Sequence, residues 1–250
     1  MKMTTTKRRG GWFRWVFLLI ALVGLAVTIG LFAYRWYFGV GESNSNTVIH
    51  RYLVNPAERP GLTTEGYVAC PGAPFILPSQ GLIGLLYRDP ARPYSATHRH
   101  TGIDIFGDGP NNTIANVAAY DGWLTRLPDW RSTVIIRHDD PLQPGRTIWT
   151  YYTHMASTDG SVSYVDEAFP AGTSEVFVEQ GTLLGHQGDY GGNGYAVAMH
   201  LHFSIVKSDG NDDFLNEAII ENTIDPTPYL GLEVDIDANP DFPIRCADAS

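Results

Sequence analysis

The sequence predicts one all-β, mainly antiparallel domain carried behind a single N-terminal transmembrane helix. Three observations lead there. Trp15 to Tyr34 is an uncharged run of about 20 residues, the length that spans a bilayer as a helix. From Phe75 onward, short apolar segments of strand length alternate with turns carrying Gly, Pro, Asp and Asn. Histidines fall in three of those segments, as His100 with Asp104, as Tyr152-Thr153-His154, and as His200-Leu201-His202.

The helix comes first. Lys2, Lys7, Arg8, Arg9 and Arg14 precede or open the run, and no acid occurs before Glu42. Trp12 and Trp15 stand at one end, with Tyr34, Trp36 and Tyr37 at the other, as expected of rings at the two membrane–water interfaces. The basic bias puts the N-terminus in the cytoplasm and the bulk of the chain outside. A cleavable signal peptide is the competing reading, but no Ala-x-Ala-like site follows before Arg35. The expectation is an uncleaved, single-pass anchor in the cell membrane.

Residues 39–69 read as a juxtamembrane linker, with a strand expected at Thr47–Leu53 and a Pro- and Gly-rich irregular stretch from Asn55 to Gly72. Linker and irregular residues together would reach on the order of 100 Å when extended. The strand candidates are Gly81–Tyr87, Gly122–Leu127, Thr133–Arg137, Thr147–Thr153, Ser174–Val178 and Leu201–Val206, all rich in Val, Ile, Thr, Tyr and Trp. A short helix is expected near Asp213–Glu221. The tail 233–250, with Pro240 and Pro243, should be extended or loosely packed.

Charge and cysteines bound the function. Six of the 17 basic residues lie before Glu42, leaving 11 against 27 acids in the exported part. That balance disfavours nucleic acid as a partner, because phosphate binding needs a basic surface. Cys70 and Cys246 are the two cysteines, and outside the cytoplasm such a pair is expected to form a disulfide.

Alternate side chains of a strand share a face. His200 and His202 therefore point one way and Leu201 the other. His100 and Asp104 share a face if their segment is extended, and Gly102 would let another backbone come close. A catalytic zinc site takes three protein ligands, leaves a position for water, and needs neighbours that move protons. Two histidines and a carboxylate suffice for the metal, and two histidines remain.

The segments His100-Thr101-Gly102-Ile103-Asp104, Tyr152-Thr153-His154 and His200-Leu201-His202-Phe203 resemble the motifs of the lysostaphin-type, or LytM-type, zinc metallopeptidases. Phe75-Ile76-Leu77-Pro78 with Gly81 is similar to that family's opening strand. Asn116 to Gly122 and Gln180 to Gly185 are similar to two further family segments. The resemblance spans about Phe75 to Val206 in the family's order. It implies a duplicated hybrid motif fold and a zinc endopeptidase cutting stem peptides or cross-bridges of peptidoglycan. It implies that His100, Asp104 and His202 bind Zn2+, and that His154 and His200 are catalytic. It also puts the metallopeptidase domain at 70–232, after a cytoplasmic segment 1–14, an anchor 15–38 and the linker 39–69.

Departures from the pattern touch the groove wall. Tyr195 to Met199 replaces the family's usual Ser-Thr-Gly stretch, and Ser204 stands where an acid usually follows the phenylalanine. The segment Ser157–Glu175 is expected to form one rim. Tyr94 lies where some members carry a tyrosine that contacts the oxyanion, although packing is the commoner role of a loop tyrosine. His138 is read as a turn residue at a strand end, His98 as a solvated residue or a neighbour of the ligands, and His50 and His186 as histidines with no partner in sequence. The alternatives to a wall hydrolase are a non-catalytic peptidoglycan-binding or amidase-regulating module on the same fold, and a zinc peptidase with a non-wall protein substrate. The partners expected are peptidoglycan and, through the helix, the lipid bilayer.

Overall fold

The computed structural model describes residues 11–38, 43–192, 194–211, 213–234, 236 and 241–247. Helix α1 (Gly11–Phe38) contains the apolar run. Its stretch Phe13–Tyr34 has a mean hydropathy of 2.8, and none of it is buried against the rest of the protein. It is long and apolar enough to cross a membrane, a property that signal sequences share. Lys2, Lys7, Arg8 and Arg9, which set the expected orientation, lie outside the described residues.

Thr47–Leu53 is helical, a correction to the expected strand. Helix α2 (Ser45–Val54) buries Ser45, Val48 and Tyr52. Those positions fall on one face at the helical period, which outweighs the local β preference of Thr47, Val48, Ile49 and Tyr52. A short helix, α3 (Arg59–Leu62), follows and buries Leu62. Val48, Tyr52 and Leu62 pack with Leu82 and Phe106, so much of the expected linker is docked onto the domain.

The domain is a twisted antiparallel sheet. Its strands are β1 (Leu82–Leu85), β2 (Ile103–Phe106), β3 (Ala115–Val117), β4 (Gly122–Thr125), β5 (Val134–Asp139), β6 (Thr147–Thr153), β7 (Val176–Val178), β8 (Leu183–His186), β9 (Gly188–Tyr190), β10 (Ala196–Lys207) and β11 (Thr223–Ile224). The main sheet runs β1-β2-β10-β6-β5-β4-β7, with β9 and β11 also pairing with β10, while β3 and β8 form a separate pair. One face of the main sheet builds the core. Ile103, Ile105, Leu124, Ile136, Tyr152, Leu201, Phe203 and Ile205 meet there, each fully buried. At about 1.5–3 kcal/mol for each buried side chain of this size, the cluster fixes the register of every central strand.

Two further expectations are corrected. Asp213–Glu221 is not a helix; only a 3-10 turn at Ile220–Asn222 forms. Asn216 Oδ1 accepts the Ala218 N–H, and Asp209 Oδ1 accepts the N–H groups of Asn211 and Asp213. Side chains thus take the backbone donors that a helix would need. The tail is packed rather than loose where it is described. Ile244 is buried in the core, Phe242 packs against it, and Leu232 bridges to Cys246. The Cys70–Cys246 disulfide is formed, with its Cα atoms 5.4 Å apart. Residues 237–240 and 248–250 of the tail lie outside the described residues.

Candidate metal centre

Register brings the polar residues of β2 and β10 together. His202 lies directly opposite Asp104 on β2 and opposite Thr153 on β6. Directly opposed residues of an antiparallel pair share a face, so the Asp104 carboxylate and the His202 ring meet on the side away from the core. His100 enters from the loop before β2. Gly102 makes this possible: a Cβ there would stand 2.2 Å from the Phe203 carbonyl oxygen. The backbones can approach that closely only at glycine.

Three atoms converge as a result. His100 Nε2 lies 3.0 Å from His202 Nδ1 and 3.0 Å from Asp104 Oδ1, and His202 Nδ1 lies 2.8 Å from the same oxygen. All three residues are buried. The outer nitrogens decide the tautomers. His100 Nδ1 faces the Leu86 carbonyl at 2.9 Å, and His202 Nε2 faces Glu217 Oε1 at 2.9 Å. Both partners only accept, so those nitrogens carry the hydrogens. In the neutral rings, His100 Nε2 and His202 Nδ1 then turn lone pairs toward each other and toward a carboxylate. Such an arrangement accepts a positive charge, either a proton on His202 or a metal ion.

The residues fit zinc. Nitrogen and carboxylate donors are its usual partners, and bond lengths of 2.0–2.2 Å place tetrahedral ligand atoms about 3.3 Å apart. Opening the observed triangle by a few tenths of an ångström would seat the ion. The electrostatics agree in direction. Burial raises the Asp104 pKa, but the His100 and His200 rings outweigh it and hold the carboxyl well below its usual range. Burial disfavours a charged His202, yet Glu217 and Asp104 together raise its pKa. The pocket carries more negative than positive charge and draws a proton or a metal ion.

Two more histidines flank the triangle. His200 Nε2 lies 3.5 Å from Asp104 Oδ2, and its Nδ1 donates to the Ala198 carbonyl at 2.6 Å. His154, at the end of β6, has a φ of +74°, a conformation uncommon outside glycine. Its Nδ1 donates to the Tyr190 carbonyl at 2.7 Å. Gly188 permits this turn, because a Cβ there would stand 2.5 Å from the His154 carbonyl oxygen. The His154 ring is centred 4.4 Å from that of His200 and 6.2 Å from that of His202. Burial lowers the pKa of both flanking histidines, and the neighbouring rings add to this, so each is neutral with a lone pair at Nε2.

All five residues singled out from the sequence therefore sit at one place. It opens into a groove of about 400 Å³, bordered by Tyr94, Thr133, Tyr151, His154, Tyr190 and Glu217. The Tyr94 ring also lies tilted against His100, at 4.7 Å between centroids, and burial raises its pKa, so its hydroxyl stays a donor. Of the expected rim, Ser157–Glu175, none borders this groove. His98 reaches only the rim, His50 is exposed on α2, and His186 faces Ala115 across the β3–β8 pair. His138 is buried elsewhere, between the Asp121 carbonyl and the Thr150 hydroxyl.

Glu217 was not foreseen. It accepts from His202 Nε2 and, at 2.6 Å, from the Thr101 hydroxyl, and burial notwithstanding, His202 and Thr101 hold its carboxyl down at about 2. The signal was indirect: Ser204 leaves vacant the position where an acid would share the face of His202, and Glu217 reaches the same ring from a later loop.

No family model and no curated protein sequence matches the chain. Among solved structures, the fold is similar to lysostaphin from Staphylococcus simulans, with 20% identity over 58% of this chain and 47% of that one, at a TM-score of 0.37. The chain thus spans about half the length of that protein. The catalytic domain of lysostaphin is similar at 18% identity over 58% of this chain and 88% of that one, also at 0.37. A glycyl-glycine endopeptidase LytM from Ruminococcus gnavus is similar at 24% identity over 56% of this chain and 49% of that one, at 0.36.

Proposed function

We propose that this chain is a zinc-dependent endopeptidase that cleaves peptide bonds in peptidoglycan and is held at the cell membrane by α1, with its catalytic domain outside. The observation that carries the reading is the convergence of His100 Nε2, His202 Nδ1 and Asp104 Oδ1, 2.8–3.0 Å from one another, beside an open groove. The substrate class comes from the motif resemblance.

His100, Asp104 and His202 would hold the ion. Bound there, zinc supplies Lewis acidity to an attacking water and to the scissile carbonyl. The remaining chemistry belongs to the chain. His154 and His200 have their Nδ1 atoms fixed by backbone carbonyls, so each handles a proton at Nε2. A neutral imidazole takes the proton released by water and, once charged, returns it to the leaving amine. The Tyr94 hydroxyl, kept protonated by burial, is a donor for the oxyanion that develops on the carbonyl.

The test is elemental analysis of the purified full chain alongside mass spectrometry of fragments released from purified peptidoglycan. About one zinc per chain and new peptide termini are expected. Zinc without any fragment would favour a binding or regulatory module. Protease added to spheroplasts should digest the domain, and a mature N-terminus beginning after Tyr37 would remove the anchor from the proposal.

A further inference from the structure

We propose that helix α2 is a positioning element of the metal centre, holding His100 through Ser45 and Asp89 and holding His200 through Ile49 and Phe106. The roles of those two histidines rest on the reading above; the couplings rest on hydrogen bonds and packing.

The first arm is polar. Ser45 is fully buried, and its hydroxyl donates to Asp89 Oδ2 at 2.5 Å. Asp89 is also fully buried. Its other donors are the N–H groups of Ala91 at 2.8 Å and Leu86 at 3.4 Å. Ser45 is therefore the side-chain donor to this carboxylate among the described residues. Asp89 knots the turn Leu86–Ala91, and that turn holds His100 by its Nδ1–H, its backbone N–H and its carbonyl. The Leu86 carbonyl takes the ring Nδ1–H at 2.9 Å, Arg88 N–H donates to the His100 carbonyl at 2.9 Å, and His100 N–H donates to the Asp89 carbonyl at 3.3 Å. A buried carboxylate that loses a donor reorganises its turn, because an under-solvated charge is costly. The backbone acceptor that sets the tautomer of His100 lies in that turn.

The second arm is apolar. A Cβ on Gly84 would come within 2.7 Å of Ile49 Cγ1 and 2.8 Å of the Phe106 ring. The missing side chain at Gly84 leaves that space to Ile49 and the Phe106 ring, and Ile49 packs against the cluster that contains Phe106. Phe106 in turn stacks on His200, with centroids 5.0 Å apart and planes at 25°. Asn46 and Ile49 also line an arm of the groove, of about 420 Å³, that contains Asp104, His200 and His202. One short helix thus supports a metal-facing ring on one side and a proton-handling ring on the other.

The two arms make separable predictions for the full chain in detergent micelles. Ser45→Ala should weaken zinc binding about tenfold or more, the scale seen when the support of a ligand is lost, and should move the His100 ring signals of the metal-free protein in 15N NMR. Ser45→Thr, which keeps the hydroxyl, should restore both. Ile49→Ala should leave zinc affinity within about twofold, lower kcat about tenfold at unchanged KM, and shift the His200 ring. Leu53→Ala, on the exposed face of the same helix, should change none of these. If Ser45→Ala and Ile49→Ala lower only the melting temperature, with ring signals, zinc affinity and kcat equal to Leu53→Ala, α2 is ordinary scaffold and the proposal is wrong. If the wild type cleaves no peptide at all, the catalytic reading falls, while ring signals and zinc affinity still decide this one.

Discussion

His138 should make the fold acid-sensitive independently of the metal site. It is fully buried, its Nδ1 donates to the Asp121 carbonyl at 2.6 Å, and its Nε2 accepts from the Thr150 hydroxyl at 2.7 Å. Burial pushes its pKa down to about 4. In the unfolded chain an imidazole titrates near 6.5. Between those values the unfolded state binds more protons, so stability rises with pH across the window and falls as pH drops through it. Above about pH 6.5 the contribution is whole; below about pH 4 it is gone, a total of roughly 3 kcal/mol. From about pH 7.5 to about pH 5 the loss from this residue should be about 2 kcal/mol. Urea unfolding with zinc chelated, on wild type and on His138→Gln, isolates it. The site histidines contribute to both curves equally and cancel in the difference. The variant should be less stable at neutral pH yet lose about 2 kcal/mol less on acidification. Parallel curves for the two proteins would refute the reasoning.

Three other outcomes are expected. Ala at His100, Asp104 or His202 should lose zinc and activity together, whereas His154→Ala and His200→Ala should keep zinc by elemental analysis and lose about 10²-fold or more in turnover. Emptying of the site by His154→Ala, with zinc retained in His100→Ala, would reverse the assignment. Glu217→Gln should weaken zinc about tenfold by chelator competition, because the amide orients His202 less firmly than a charged acceptor does; unchanged affinity would leave Glu217 without that role. Cys246→Ala opens a loop of 176 residues, worth about 5 kcal/mol in the chain-entropy model, so denaturant midpoints should fall markedly in oxidising buffer. A midpoint equal to wild type would show that the bridge contributes nothing.

The centre was legible because its geometry is local to two strands. The two-residue spacing of His200 and His202, with apolar Leu201 and Phe203 between and after them, already fixes which side chains face the core. Asp104 follows the same logic, with Gly102 marking the close approach. What could not be read depends on contacts distant in sequence. Ser45–Val54 has strand-like residues, and only its packing against Leu82 and Phe106 reveals the helical stripe. Glu217 lies 15 residues beyond His202, in a loop whose course is set by Asp209 and Asn216 capturing backbone donors. The tail carries two prolines and several acids; the disulfide that ties it back was legible from the two cysteines, but the burial of Ile244 in the core was not visible in local composition.

The docking of α2 also sets a leash. Between Phe38, where α1 ends, and Ser45, where α2 begins, any conformation of the chain spans at most about 25 Å. The sequence alone allowed a reach about four times longer, since residues up to Cys70 seemed free to extend. With α1 in a bilayer, the groove mouth would sweep a thin shell just above the lipid headgroups. If the chain cuts wall peptides as proposed, it would cut them where they lie against the membrane, and more distant layers would be out of range however accessible their peptides were. Inserting a flexible segment at residues 39–42 would widen that radius without touching a single contact of the candidate metal centre.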